Sequence, residues 1–348
     1  MSEDALKLTT YFGERNRVKG RLLAEELLDI HARHGIRSSI LLRGIQGFGA
    51  KHRLRSDRLL TLSEDLPLVS VAIDAHERID ALLKDVSSIG HEGLMTLERA
   101  GLCGAGIKPR DLSRLPEENV KLTVYLGRHE RAEGSPAFSA VCQTLNDSGV
   151  AGATVLLGVD GTRNGRRQRA RFFARNVNVP LMVMSVGDAQ QIGTALTRLE
   201  QLLDEPLFTI ERVRICKRDG VLLQLPHHPM PASEQSKDLR QKLTIITSEA
   251  ARHENRSVYL ELIRRLRLAN AAGATSLRGI WGFHGDHAPH GDRLLSIRRH
   301  VPVVTIVIDT PNRIAALLPI VDELTHERGL VTSELVPASS ALHTVPGL

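Results

Sequence analysis

Cysteine is nearly absent from this chain of 348 residues. Cys103, Cys142 and Cys216 form an odd, scattered set without C-x-x-C spacing, which argues against both a disulfide framework and a thiolate zinc site. Long apolar runs are missing as well, so no segment has the length of a membrane span. The opening "MSEDALK" lacks the basic-then-apolar pattern of a secretion signal, and a cytoplasmic location is expected. Charge of one sign is not in excess either: 46 basic residues against 40 acidic ones leave only +6, too little to demand general adhesion to nucleic acid or membranes. No nucleophile, base and orienting group stand at a recognisable spacing, and the chain is read as non-enzymatic.

What is present is repetition. "LKLTTYFGERNR" from Leu6 returns as "VKLTVYLGRHER" from Val120 and "QKLTIITSEAAR" from Gln241, and the three copies stay in register as far as Gly44, Gly158 and Gly279. Each then has a loop, a segment aligned on Pro67, Pro180 or Pro302, and a closing Thr-x-Glu at Thr96/Glu98, Thr209/Glu211 and Thr332/Glu334. A period this long is a triplicated domain rather than a solenoid repeat. The boundaries read as repeat one over 5–102, a linker over 103–119, repeat two over 120–217, a linker over 218–239, repeat three over 240–337 and a frayed tail over 338–348. The linkers are rich in Gly, Pro and charge, and one of nineteen or so residues reaches roughly 60 Å when extended.

Within a copy the period switches. "KLTTYFG" has the β-branched and aromatic content of a strand. Leu23, Leu27, Leu28 and Ile30, with Phe138, Val141, Cys142 and Leu145, and Tyr259, Leu262, Ile263 and Leu266, then fall at helical spacing. "SSILLRG" and the run after the aligned proline read as two more strands. Asp74 and Thr310-Pro311 look like helix starts, with Ile79, Leu82 and Leu83 or Ile314, Leu317 and Leu318 as the buried face. The Thr-x-Glu segment makes the last strand. Each copy thus reads strand, helix, strand, strand, helix, strand, an α+β unit of ferredoxin-like form.

The residues "YFGERNR", "LLRGIQGFG", "LLTLSEDLPLVSVAID" and "GLMTLE", with close counterparts in the third copy, resemble the domain of unknown function 190 family, a branch of the PII-like superfamily. That resemblance implies a trimeric signalling architecture with ligands, usually adenine nucleotides, in clefts between units, and a long loop that projects toward a target protein. The loop corresponds to 44–64, 158–175 and 279–299. Three tandem copies can satisfy threefold closure within one chain, so a monomeric pseudo-trimer is expected. The family's genomic association with fluoride-channel proteins makes a membrane transporter or channel a conceivable target. The glycine-lysine phosphate loop of PII proteins has no counterpart in "GHEGLMTLE", "LLDEPLFTIE" or "HERGLVTSE", which puts nucleotide binding by that route in doubt.

Three loops supply candidate sites. In the first, Gly44, Gly47 and Gly49 permit close backbone approach, and Arg43, Lys51 and His52 offer anion-binding donors; Arg278, Gly279 and Gly282 are the third copy's equivalents. The bland alternative is a turn shaped by glycines with charges facing water. In the second, Arg163, Arg166, Arg167, Arg169 and Arg171 could hold nucleic-acid or nucleotide phosphates, against a solvated basic loop, which is favoured. In the third, His284, Asp286, His287 and His290 have metal-binding chemistry but no defined common face, and an ordinary polar loop is favoured. Glu98, Glu211 and Glu334 read as ion-pair partners between units, and Glu14 and Glu249 as helix-start charges. A PII-like regulator binding a small anion is therefore weighed against a nucleic-acid module, a metal-dependent protein and a ligand-free adaptor.

Overall fold

The computed structural model describes residues 3–56, 65–90, 93–104, 119–168, 178–227, 238–284, 290–291 and 301–340. Each repeat has the same order of elements. In repeat one these are a strand Glu3–Gly13, helix α1 Leu23–Arg33, strands Ser38–Arg43 and Pro67–Ala75, helix α2 His76–Ser88 and strand Leu94–Cys103. Helices α3 (Ala137–Asp147) and α4 (Ala189–Leu202) belong to repeat two, and α5 (Val258–Leu268) and α6 (Pro311–Leu324) to repeat three. The strands pair antiparallel in the spatial order second, third, first, fourth, and the same order recurs in the other two repeats.

One face of each four-stranded sheet is covered by its two helices. Leu27, Ile30, Ile79 and Leu82 fill that layer in repeat one, as Val141, Leu145, Ile192 and Leu196 do in repeat two and Leu262, Leu266, Ile314 and Leu317 in repeat three. The opposite faces meet in a fourth core, where Val69, Val71 and Ile73 join Met182, Val213, Leu277 and Val304. Strands buried on both faces must be apolar throughout, which is why the segments after the aligned prolines read as unbroken hydrophobic runs.

The repeats lend strands to one another. A short strand following the second strand, Gln46–Phe48 in repeat one, pairs with Ala274–Ser276 of repeat three. Its counterpart Asp160–Arg163 of repeat two pairs with Ser38–Leu41 of repeat one, and Trp281–His284 of repeat three with Gly152–Val155 of repeat two. The fourth strands are exchanged in the reverse sense: the end of the first pairs with Phe208–Ile210, the end of the second with Leu330–Ser333, and Ala338–Ser340 with Leu94–Thr96. Side chains follow the strands. Phe48 and Cys216 enter the core of repeat three, and Phe283 and Cys103 that of repeat two.

Several expectations change. The strand ending at Ser340 takes in residues read as frayed tail, and Arg218–Leu222 form a β-turn with a short ladder where a linker was expected. Thr310 caps α6 with Pro311 in its first turn. Asp74 does not cap α2, whose preceding residue is Ala75. Its carboxylate is fully buried and accepts from the backbone N–H groups of Arg37 and Ala75, so the acid ties a loop to the strand end, as Asp309 does with Ala272 and Thr310. In repeat two Asp188 forms a complete capping box with Gln191.

Candidate functional site: a ring of charge and three seams

The first strand of every copy carries lysine, and the fourth carries glutamate. Lys7 lies directly opposite Glu98 in the ladder, Lys121 opposite Glu211 and Lys242 opposite Glu334. Each ammonium also reaches the next repeat's carboxylate. Lys7 bridges Glu98 at 2.8 Å and Glu211; Lys121 bridges Glu211 at 3.0 Å and Glu334; Lys242 bridges Glu334 at 3.0 Å and Glu98. Six alternating charges thus close a ring among the three sheets, all of them buried. Burial opposes ionisation of Glu98, yet Lys242, Lys7 and Lys121 together outweigh it and hold the carboxyl well below the usual range. Glu334 is lowered in the same way, against burial, by Lys121 and Lys242. Burial acts against the charge of Lys7 too, and Glu211 and Glu98 more than restore it.

The three carboxylates lie within 4.8 Å of one another, close enough to hold a cation. Three ammonium groups already neutralise them, so the ring has the composition of an internal salt bridge rather than of a metal centre. The inter-unit role of the three glutamates was legible. The lysine was passed over as part of a strand motif, though its recurrence at one position in all three copies was the available signal.

The candidate glycines lie at the seams. A Cβ on Gly47 would stand 2.6 Å from the Ala274 carbonyl oxygen, one on Gly161 2.1 Å from that of Ser39, and one on Gly282 2.2 Å from that of Ala153. Gly44 and Gly279 press equally on Pro67 and Ser276, and on Pro302 and Thr154. The close approach expected to serve a ligand is therefore taken by the neighbouring repeat's strand. Gly49 alone of the set has open space beside it. Nor do the loops project at their roots, which lie on a neighbouring edge and cover it. Arg43 and Arg278 hold Glu14 and Glu249 with contacts of 2.9 to 3.1 Å, ion pairs within a repeat and not helix-start charges. In repeat two both members change together, to Arg128 and Leu157. His52 stacks on Phe48 at 5.8 Å, and Lys51 is exposed beside it.

The arginine-rich loop meets acid. Arg163 pairs with Glu130, and Arg167 with Asp160 at 2.7 Å and with Asp29 on α1 of repeat one. These two arginines are seam partners rather than a free phosphate track, and Arg166 is exposed. Arg169 and Arg171 lie outside the described residues, as do Asp286 and His287 of the proposed metal set. His284 and His290 are placed only as backbone, opposite Gly152 and Gly282.

The same seam contains His31, buried on α1 where repeats two and three have Leu145 and Leu266. Burial, with His34 and Arg167 adding, pushes its imidazole down to about 3. A histidine whose native value lies below its unfolded one, about 6.5, binds fewer protons when folded, so stability falls as the pH drops from about 6.5 toward 3. His31→Leu is expected to remove that slope and to add about 2 kcal/mol at pH 5, with a smaller change at pH 8. Urea denaturation at the two pH values checks this, and an unaltered slope would contradict a neutral buried imidazole.

Three spans of the chain, 5–102, 119–215 and 240–338, match the family domain of unknown function 190, described as Uncharacterized ACR. The chain belongs to this family. A curated relative, the UPF0166 protein of Aquifex aeolicus (strain VF5), is 30% identical over 91 residues, which make up 26% of this chain and 86% of the relative. The relative is thus about as long as one repeat. Among the described residues, no helix is long and apolar enough to cross a membrane.

Proposed function

We propose that this member of the family is a non-enzymatic regulatory protein of PII-like build, in which three ferredoxin-like units close as a pseudo-trimer within one chain. It binds a small anionic ligand at the clefts between repeats and addresses a target protein through its three unlike loops. The observation that carries this reading is the reciprocal lending of loop strands. It sets the base of each loop against the sheet edge of another repeat, so a ligand held there would bear on two units at once. Strand order second, third, first, fourth is that of a ferredoxin-like unit, and the ring of charge suits threefold closure. The single-repeat relative would need three copies for the same arrangement. Engagement of Arg163 and Arg167 by carboxylates weighs against nucleic acid as the partner.

A thermal-shift screen with adenine nucleotides, cyclic nucleotides, bicarbonate and divalent metals tests the reading. A ligand at a hundred times its Kd adds about 2.7 kcal/mol to the native state, so a nucleotide or other anion should raise the melting temperature clearly. No shift with any of them would favour the adaptor instead. Light scattering should report one chain of 38.3 kDa; a particle three times heavier would contradict closure within the chain.

A further inference from the structure

The three seams differ at one equivalent position, the first residue of each lent strand. Where repeat two meets repeat one it is Asp160, and Arg167 joins that carboxylate to Asp29, so acid and base satisfy each other within the protein. Where repeat three meets repeat two it is Trp281, whose ring lies edge-on to Phe138 of α3, 6.1 Å between centroids. Helix α3, "AFSAVCQTLND", has no basic residue. Where repeat one meets repeat three it is Gln46, only 7% exposed, with an Oε1 that has no hydrogen-bond partner among the described residues. Gln46 shares its strand face with Phe48, which enters the core under α5, so alternation turns the amide toward the same helix.

Charge collects at this third seam without being answered. Arg267 of α5 donates to the His52 carbonyl oxygen at 3.5 Å, which brings the turn Lys51–Arg53 against the end of the helix. Neither Arg267 nor Arg53 has a carboxylate partner among the described residues, whereas Arg264 and Arg265 share Glu261. Gly273 passes close to the Phe48 carbonyl oxygen, while Gly49 faces open space. The arginines are not needed to satisfy the helix end: the Arg265, Leu266 and Arg267 carbonyls already accept from the N–H groups of Ala269, Ala271 and Asn270. A solvated basic face would explain Arg53, but not a buried amide left without a partner.

We infer that the seam between repeats one and three is the anion site of the chain, taking one phosphate-bearing small ligand, with Arg53 and Arg267 on its oxygens and the Gln46 amide turned to donate. This rests on the ligand-binding reading above and narrows it from three clefts to one. Two guanidinium groups and an amide suit a phosphate's several acceptor oxygens, and a cleft lined by one sign of charge concentrates anions.

Calorimetric titration of the full chain with pyrophosphate and with ADP, at low salt, tests it. One site per chain is expected. Arg53→Ala and Arg267→Ala should each weaken binding at least tenfold. Gln46→Leu should weaken it while leaving the unliganded melting temperature unchanged or higher, because an unsatisfied polar atom is removed. Arg166→Ala, exposed in another seam, should bind as the parent does. Binding that survives all three seam variants, that falls equally with Arg166→Ala, or that reaches two or three sites per chain overturns this assignment and leaves the broader reading standing. A parent protein that binds neither probe overturns both.

Discussion

Glu211→Gln is expected to cost about 3–5 kcal/mol of folding stability, because breaking a buried ion network by removing one partner leaves charge uncompensated. The deficit falls on Lys7 and Lys121, which both lean on that carboxylate from different repeats. Lys7→Met should cost a similar amount. The double variant Lys7→Met, Glu211→Met should cost clearly less than the sum, since the remaining Glu98, Lys242, Glu334 and Lys121 still alternate and balance. Chemical denaturation of the four proteins closes the cycle; additive costs would show that the six groups do not act as a network. The pH dependence has a definite sign. Glu98 and Glu334 are lowered, so their contribution is complete above the unfolded carboxylate value, about 4.3, and is lost as pH falls through the native ones. Lys7 and Lys121 are raised, so theirs is complete below about 10.4 and is lost only as pH rises past that. The ring therefore keeps its strength across neutral pH and fails first in acid.

Gly161→Ala is expected to remove about 3 kcal/mol, at the upper end of the usual cost of overpacking. The added methyl would lie 2.1 Å from the Ser39 carbonyl oxygen, and a backbone atom of a paired strand cannot step aside as a flexible side chain can. The pairing of Asp160–Arg163 with Ser38–Leu41 must open, and the buried hydrogen bonds from Thr162 to the Ile36 carbonyl and to Ser39 go with it. Gly104→Ala, with nothing near its Cβ direction, should be neutral in the same denaturation experiment. Equal behaviour of the two variants would mean that the seam is looser than its geometry.

Much of each repeat was legible because its signals are local. Leu23, Leu27, Leu28 and Ile30 fall at helical spacing whatever the rest of the chain does, and they are the residues that α1 buries. What joins the repeats was less so. Gly47, Gly161 and Gly282 were visible as a recurring glycine, but a sequence does not say whether a close approach is to a ligand or to a strand 228 residues away. The arginines of the second loop read as a basic patch because Asp29, their counterpart, stands 138 positions earlier on a helix whose charges had no evident purpose. Asp74 was mistaken for a cap since an acid ahead of a helix has that meaning locally; its actual partner, the Arg37 backbone, lies across the sheet.

The lending of strands also fixes an order of events during synthesis. Repeat two can lay Asp160–Arg163 onto repeat one as soon as both have emerged. The strand Gln46–Phe48, made early, has nowhere to go until repeat three, made last, supplies Ala274–Ser276 and the core that receives Phe48. The growing chain therefore carries an unfinished edge and an unburied phenylalanine through most of its translation, the kind of surface that invites mispairing and chaperone attention. Only when the final strand reaches Ser340 and pairs with Leu94 does the circle close on its own beginning.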